Sequence, residues 1–435
     1  MSDGEDNVAA AGDYVDQFVR KAVADLDFDS ALGQRCPMRI LVAHNFYKQS
    51  GGEDQCMADE VAMLKSFGHE VTQYCISNEA LDTMSVPQKA ARTIWSRPVF
   101  RELRSLFRSV RPQLAHFHNT FPLISPAAYY AARAENVAVV QTLHNFRLHC
   151  PNALFFREGQ VCEKCLGKPL AWPGIVHKCY RGDPIASIGV ASMVAAHRLL
   201  GTWQSSVNVY IALTEFSRRK FVEGGLPADK IMVKPNFAYP DPGLGTGLGG
   251  YAVYVGRLSS EKGINTLLEA WQLLEPAPTL KIAGDGPLAR TVQEAATQNS
   301  SIQYLGPIPH RAIYDLIGEA AFLVVPSGWY ELFPRVIVEA FSKGTPVIGS
   351  KLGAMVETIE DGVTGLHFSP GDAEDLAAKI RTLWTDRDRL LQMRRAARRT
   401  FEARYTAPMN HQLLMRIYDQ AVPRSRKTGP IRVSV

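Results

Sequence analysis

No stretch of this 435-residue chain reaches the roughly twenty uninterrupted apolar residues that a membrane-spanning helix needs. Its opening residues, MSDGEDNVAAAGDY, are acidic where a secretory leader is basic and then apolar. Both lacks argue against a helical membrane protein, and the expectation is a cytoplasmic chain, at most peripheral to the inner face of a membrane. Strong charge of one sign is also missing: 48 Lys and Arg stand against 43 Asp and Glu, a net +5. That balance is too mild to indicate nucleic acid, and none is expected as a partner. Cysteine is scarce and odd in number, seven in all, which in a reducing compartment suits thiols or metal ligands better than disulfides.

What is present is an ordinary globular composition, 46% hydrophobic and 21% charged, on a chain too long for one core. From Met38 onward short β-rich runs alternate with helix-length segments. The runs MRILVAHNF, HEVTQYCIS, LAHFHN, VAVVQTLHNF and VNVYIALTEFS form one set. After IMVKPNFAYP a second set follows: YAVYVGRL, TLKIAGDG, IQYLGPI, AFLVVPS and TPVIGSKL. Continuous Val/Ile/Leu runs joined by helices indicate parallel sheets covered on both faces, so the fold class is a pair of doubly wound, Rossmann-like α/β domains. The spacing predicts a polar extension over 1–36, with a short amphipathic helix in DYVDQFVRKAVADL, and a first domain over 37–237. A second domain is predicted over 238–404, entered through the Gly- and Pro-rich linker 238–250. A helix over 405–421 is expected to cross back to the first domain, before a basic tail over 422–435.

Open α/β sheets bind ligands beyond the carboxyl ends of their strands. Gly51 and Gly52 follow the first run, where glycines let a phosphate approach the backbone at a helix start; an ordinary tight turn would use them equally. Arg257 and Lys262 follow YAVYV, and two cations there suit a pyrophosphate, although solvated surface cations read the same way. Two carboxylates mark the stretch GWYELFPRVIVEA. Glu331 belongs to a loop and projects into a cleft; Glu339 lies inside a largely buried helix that begins at Pro334 and stops at Gly344. A carboxylate buried among Val, Ile and Phe must be compensated. Ribose hydroxyls would do this, and so would a structural arginine such as Arg335.

These motifs, SGGEDQ, VYVGRLSSEKGINTLLEA, LKIAGDGP, YLGPIPHRAIYDLIGEA and ELFPRVIVEAFSKGTPVIGS with its E-x7-E spacing, resemble the retaining glycosyltransferases of family 4 over residues 38 to 420. The resemblance implies the GT-B fold, a nucleotide-sugar donor held mainly by the second domain, and an acceptor-side first domain. It implies that Glu331 meets the donor sugar's hydroxyls and Glu339 the ribose. Arg257 and Lys262 would neutralise the pyrophosphate beside the Gly51–Gly52 backbone, while Gly284, Gly286 and Pro307 line the nucleotide end. Among His116, His118, His144 and His149 it selects His144 as the residue beside the reacting sugar, with His116 structural. It also implies transfer without a protein nucleophile and without a catalytic metal. The Asp-x-Asp pairs Asp25/Asp27 and Asp386/Asp388 fall outside any strand-end context. The acceptor would be a glycan or a lipid-linked glycan. A nucleotide-sugar 2-epimerase and a non-catalytic binder share the fold and stand as alternatives.

Two segments go beyond that core. Cys150, Cys162, Cys165 and Cys179 crowd an insertion over 150–179, and a C-x2-C half fits either a structural zinc knuckle or four reduced thiols. Between Lys89 and Arg111 seven basic residues face one acid, with apolar residues at helical spacing after Pro98. That pattern suits a helix lying on an anionic membrane surface, and equally a helix whose apolar stripe packs on its own core.

Overall fold

The computed structural model describes residues 37–48 and 51–422. The N-terminal extension, the short helix expected in it, and the basic tail beyond Val422 lie outside the described residues. Two six-stranded sheets carry the fold, and every neighbouring pair in both is parallel.

The first sheet holds β1 (Arg39–Phe46), β2 (Glu70–Ser77), β3 (Leu114–Asn119), β4 (Ala138–Thr142), β7 (Val209–Ala212) and β8 (Ile231–Val233), in the order β2-β1-β3-β4-β7-β8. A hairpin of β5 (Phe156–Arg157) and β6 (Gln160–Val161) lies in the cysteine-bearing insertion. The second sheet holds β9 (Tyr251–Val255), β10 (Thr279–Ala283), β11 (Ile302–Gly306), β12 (Phe322–Val325), β13 (Val347–Ser350) and β14 (Gly365–Phe368), in the order β11-β10-β9-β12-β13-β14. Central strands such as β3, β4 and β13 are buried along their whole length, which is why they read as unbroken apolar runs. β8 and β14 are edge strands of three and four residues, too short to stand out in the sequence.

Both sheets reverse direction once. In the first, the chain moves from β1 out to β2 and then returns to place β3 on the other side of β1; in the second, β9 and β12 flank the corresponding reversal. Crevices at such switch points are where open α/β sheets hold ligands. Four helices matter for the site: α1 (Gly52–Ser66) after β1, α2 (Arg97–Val110) before β3, α3 (Arg335–Ser342) after β12, and α4 (Ala407–Ala421). Pro334 is the N-cap of α3 rather than part of it. Leu414, Met415 and Tyr418 of α4 are buried with Ile40, Val42 and Val140 of the first sheet.

The glycine-rich stretch 238–250 is an ordered strap rather than a loose tether. Gly245 N–H donates to Lys343 O at 3.0 Å, Gly247 N–H to Gly318 O at 2.9 Å, and the Arg394 guanidinium reaches Gly245 O at 2.9 Å. A Cβ on Gly245 would lie 2.2 Å from the Gly318 carbonyl oxygen, so glycine here serves close approach of two backbones.

The basic segment is also settled by packing. Val99, Leu103 and Phe107 of α2 are buried in the first domain's core, and Arg104 and Arg108 both reach Glu135. The apolar stripe therefore faces inward. The membrane reading of that stripe is corrected, because the core already covers the surface that would have entered lipid.

Candidate active site

The strand-end residues of the second domain form two carboxylate clusters. In the first, Glu331 is only 6% exposed, and three donors converge on its Oε1: Lys262 Nζ at 2.6 Å, Ser327 Oγ at 2.8 Å and Trp329 Nε1 at 3.0 Å. Lys262 also sits 5.2 Å from the Trp329 ring centroid, a cation–π contact that holds its stem over the loop. Glu331 comes from the loop after β12 and Lys262 from the turn after β9, so the pair spans the switch point. Arg257, at the end of β9, is exposed, and its carbonyl accepts from Tyr254 Oη.

The second cluster surrounds Glu339 in α3. Its Oε1 accepts from Arg335 Nε at 2.9 Å and from His310 Nε2 at 3.2 Å. Burial works to raise its pKa, yet the hydrogen bond from His310 and the Arg335 guanidinium hold the carboxyl below its ordinary value. Arg335, 8% exposed, also gives Nη2 to Asp59 Oδ2 at 2.6 Å, and Asp59 belongs to α1 of the first domain. The structural-arginine reading of Glu339 is thus realised, and the arginine extends the network across the domain boundary. The same boundary is crossed by Thr214 Oγ1 donating to Leu332 O at 3.1 Å, and by Arg219 reaching Glu357 at 3.2 Å.

Gly51 caps α1, and its N–H already donates to Asp54 Oδ2 at 2.9 Å. A phosphate approaching this backbone would have to take that amide from Asp54. A Cβ at Gly284 would lie 1.9 Å from Gly256 O, and φ there is +142°. Close strand-end packing thus accounts for this glycine without a nucleotide. Pro307 is exposed just beyond β11. Asp386 caps the helix that follows it by accepting from Arg389 N, a structural role for that Asp-x-Asp.

On the first domain, His144 is half-buried beyond β4 and lines a pocket with His118, Asn119, Asn145, Arg147 and Met193. Its Nε2 lies 3.0 Å from His118 Nδ1, and the two rings stack with centroids 5.2 Å apart. Burial, with the neighbouring His118 and His44, keeps the His144 pKa well below the usual histidine value. His116 is fully buried between Thr142 Oγ1 and Tyr418 Oη, both at 2.8 Å, a structural residue. His149 is likewise buried beside Arg198, at 3.4 Å. Among the described residues no hydrogen bond joins His144 to Glu331.

Several residues escaped the sequence reading. Glu53, next to Gly52, is pushed up to about 8 by burial and then by the Asp54 charge, against the pull of Arg147 and Asn145. Asp59, Glu60, Lys234, His310 and Trp329 complete the clusters. Only GGED, with two acids directly after two glycines, carried a visible signal for any of them.

The four insertion cysteines are reduced. Cys150 and Cys165 are buried, Cys162 and Cys179 half-buried. They are near enough that burial and then the Cys150 thiol raise the pKa of both Cys165 and Cys179. Among the described residues, however, the only group of three or more ligand atoms within 4.8 Å of one another is Glu60, His116 and His118. Sulfurs around one zinc, each about 2.3 Å from it, lie closer together than that. Among the described residues no three of these four sulfurs lie within that distance of one another.

Two parallel Rossmann-like domains whose strand-end loops meet across the boundary define the GT-B fold. Solved structures agree: HepE from Anabaena in complex with UDP-glucose superposes with a TM-score of 0.62 at 18% identity, covering 88% of this chain and all of that one. Sucrose-phosphate synthase from Thermosynechococcus elongatus gives 0.66 at 16%, over 88% and 99% of the two chains. At these identities the likeness concerns the fold.

Residues 249–400 match the family model described as glycosyl transferases group 1. Glycogen synthase from Mycobacterium tuberculosis is 34% identical over 152 residues, which is 34% of this chain and 36% of that protein. The teichuronic acid biosynthesis glycosyltransferase TuaC from Bacillus subtilis, itself named as putative, is 26% identical over 66% of each chain. The chain thus spans about a third of the length of glycogen synthase, and the family-model match falls in the second domain's part of the sequence. Among the described residues no helix is long and apolar enough to cross a membrane.

Proposed function

We propose that this protein is a retaining glycosyltransferase of family 4 that moves a sugar from a nucleotide-sugar donor to a glycan or lipid-linked acceptor in surface polysaccharide or glycoconjugate assembly. The observation that carries the reading is the Lys262–Glu331 pair, 2.6 Å apart at the β9/β12 switch point. A buried carboxylate that spends one oxygen on three protein donors keeps its second oxygen for sugar hydroxyls. An ammonium beside it, with Arg257 at the same strand end, suits the charge that a departing diphosphate develops. Glu339 would take the ribose on the oxygen not given to Arg335 and His310. Gly284, Gly286 and Pro307 would flank the base, and His144 would face the reacting sugar. With two cations placed for the diphosphate, the chemistry calls for no divalent metal. The names of relatives such as TuaC and the O-antigen chain mannosyltransferase B of Escherichia coli support a polysaccharide setting; the cytoplasm, at most the inner face of a membrane, is the compartment proposed.

Mass spectrometry of the purified protein with a panel of nucleotide sugars and candidate acceptors tests this. The expected result is release of nucleoside diphosphate with a glycosylated product of retained anomeric configuration. A 2-epimerised donor without transfer would assign the protein to the epimerases, and binding without turnover would make it a non-catalytic binder.

A further inference from the structure

His144 does not stand alone. A buried chain of charged and polar groups leads from it into the first domain. Lys234 Nζ is 3.0 Å from Glu60 Oε2, and Glu60 Oε1 is 3.1 Å from His118 Nε2. His118 Nδ1 is in turn 3.0 Å from His144 Nε2. Glu60 is 3% exposed and His118 2%, and His118 sits two residues after His116 on the same face of β3, so both imidazoles reach the one carboxylate.

Glu60, His116 and His118 have the spacing of a metal-ligand set. Their lone pairs and protons are already engaged, by Tyr418, Thr142 and His144, and an ammonium occupies the cation's place at Glu60. The cluster is therefore a closed relay of hydrogen bonds.

Its direction follows from valence. With an ammonium at Oε2, Glu60 is ionised and can only accept, so His118 must present Nε2–H to it. A neutral His118 then carries a lone pair on Nδ1 and can only accept there. That forces His144 to donate its Nε2–H, which leaves a neutral His144 with an unprotonated Nδ1. Burial holds both imidazoles in their neutral forms at physiological pH, His118 with a pKa down at about 4.

We infer that Glu60 and His118 are positioning residues that fix the tautomer of His144, so that it offers the cleft a hydrogen-bond acceptor, Nδ1, and takes a hydroxyl of the sugar rather than giving a proton to the leaving group. This rests on the glycosyltransferase reading for what enters the cleft, but the tautomer itself does not depend on it.

The test has two arms. In 15N-histidine-labelled wild-type protein, a long-range 1H–15N correlation spectrum with His144→Gln as the assignment control should show His144 protonated on Nε2 and bare on Nδ1. A protonated Nδ1 would overturn the inference whatever the enzyme does. In the second arm, His118→Gln and Glu60→Gln are compared in steady-state kinetics with the donor that turns over. Loss of orientation behind the reacting group should lower kcat by roughly 10- to 100-fold with KM for the donor little changed. His118→Gln, which leaves the Lys234–Glu60 pair intact, serves if Glu60→Gln fails to fold. A folded His118 variant with wild-type kcat would refute the positioning role. Failure of the whole donor panel, with the Nε2–H tautomer present, would sink the proposed function and leave the relay standing.

Discussion

Replacing Glu339 and Glu331 by glutamine should separate their roles in nucleotide binding. Glu339 gives Oε1 to Arg335 Nε at 2.9 Å and His310 Nε2 at 3.2 Å. A glutamine amide oxygen can keep both contacts, and Arg335 retains Asp59 at 2.6 Å, so Glu339→Gln should fold. What it loses is negative charge and the acceptor at Oε2, where the amide nitrogen would face the ribose hydroxyls. A hydrogen bond to a charged group contributes about 1.5–3 kcal/mol, so affinity for the nucleoside diphosphate should fall roughly 10- to 150-fold. In Glu331→Gln the change lies at the sugar end. Lys262, left with a neutral amide oxygen in place of its 2.6 Å carboxylate partner, is held less strongly and can meet phosphate, so the diphosphate should bind as in wild type or more tightly while transfer falls. Isothermal titration calorimetry with the diphosphate of the active donor measures both. An unchanged dissociation constant in Glu339→Gln would mean that this carboxylate is spent wholly on Arg335 and His310, and the ribose assignment would be withdrawn.

Glu53, raised to about 8 by burial and the Asp54 charge, is protonated in the fold over a range where the unfolded chain, near 4.5, has lost its proton. Its contribution to stability is therefore lost as pH rises from 4.5 through 8, so Glu53→Gln should raise Tm at pH 8.5 and change it little at pH 5. Equal shifts at both pH values would contradict this. Arg335→Met strands two buried carboxylates, Asp59 and Glu339, and should cost about 3–5 kcal/mol in urea denaturation. Adding Asp59→Asn should recover part of that loss, and strict additivity of the two changes would refute the cross-domain pair. Under native conditions a maleimide should label the half-buried Cys162 and Cys179 before the buried Cys150 and Cys165, with no stoichiometric zinc found by elemental analysis. One equivalent of zinc together with protection of all four thiols would show that the insertion closes around a metal.

The parts of this molecule legible in its sequence are those whose causes are local. β3, β4 and β13 are buried on both faces, so each writes itself as an apolar run. The E-x7-E spacing joins a loop residue to a helix residue within one short segment, so the placement of Glu331 and Glu339 beyond β12 could be read directly. Their partners could not be. Arg335 finds Asp59 across 276 residues, Lys262 finds Glu331 across 69, and Glu60 reaches His118 across 58. Nothing in a periodicity encodes such meetings. The sequence of α2 shows the limit from the other side. Its stripe of Val99, Leu103 and Phe107 fixes a helix with one apolar face, but lipid and a protein core reward that face alike, and only the acid at Glu135 and the packed core decide between them. The cysteines show a related limit: a C-x2-C turn brings two sulfurs near each other, whereas closing a site requires two more to arrive from 150 and 179, and the spacing alone does not encode that meeting. His118 is the instructive middle case. The pattern His-x-His on a buried strand marks two imidazoles on one face, yet which one serves the cleft depends on where Glu60 and His144 stand. The residue that touches the ligand can thus be picked from a motif, while the residues that set its protonation emerge only once the sheet has brought them together.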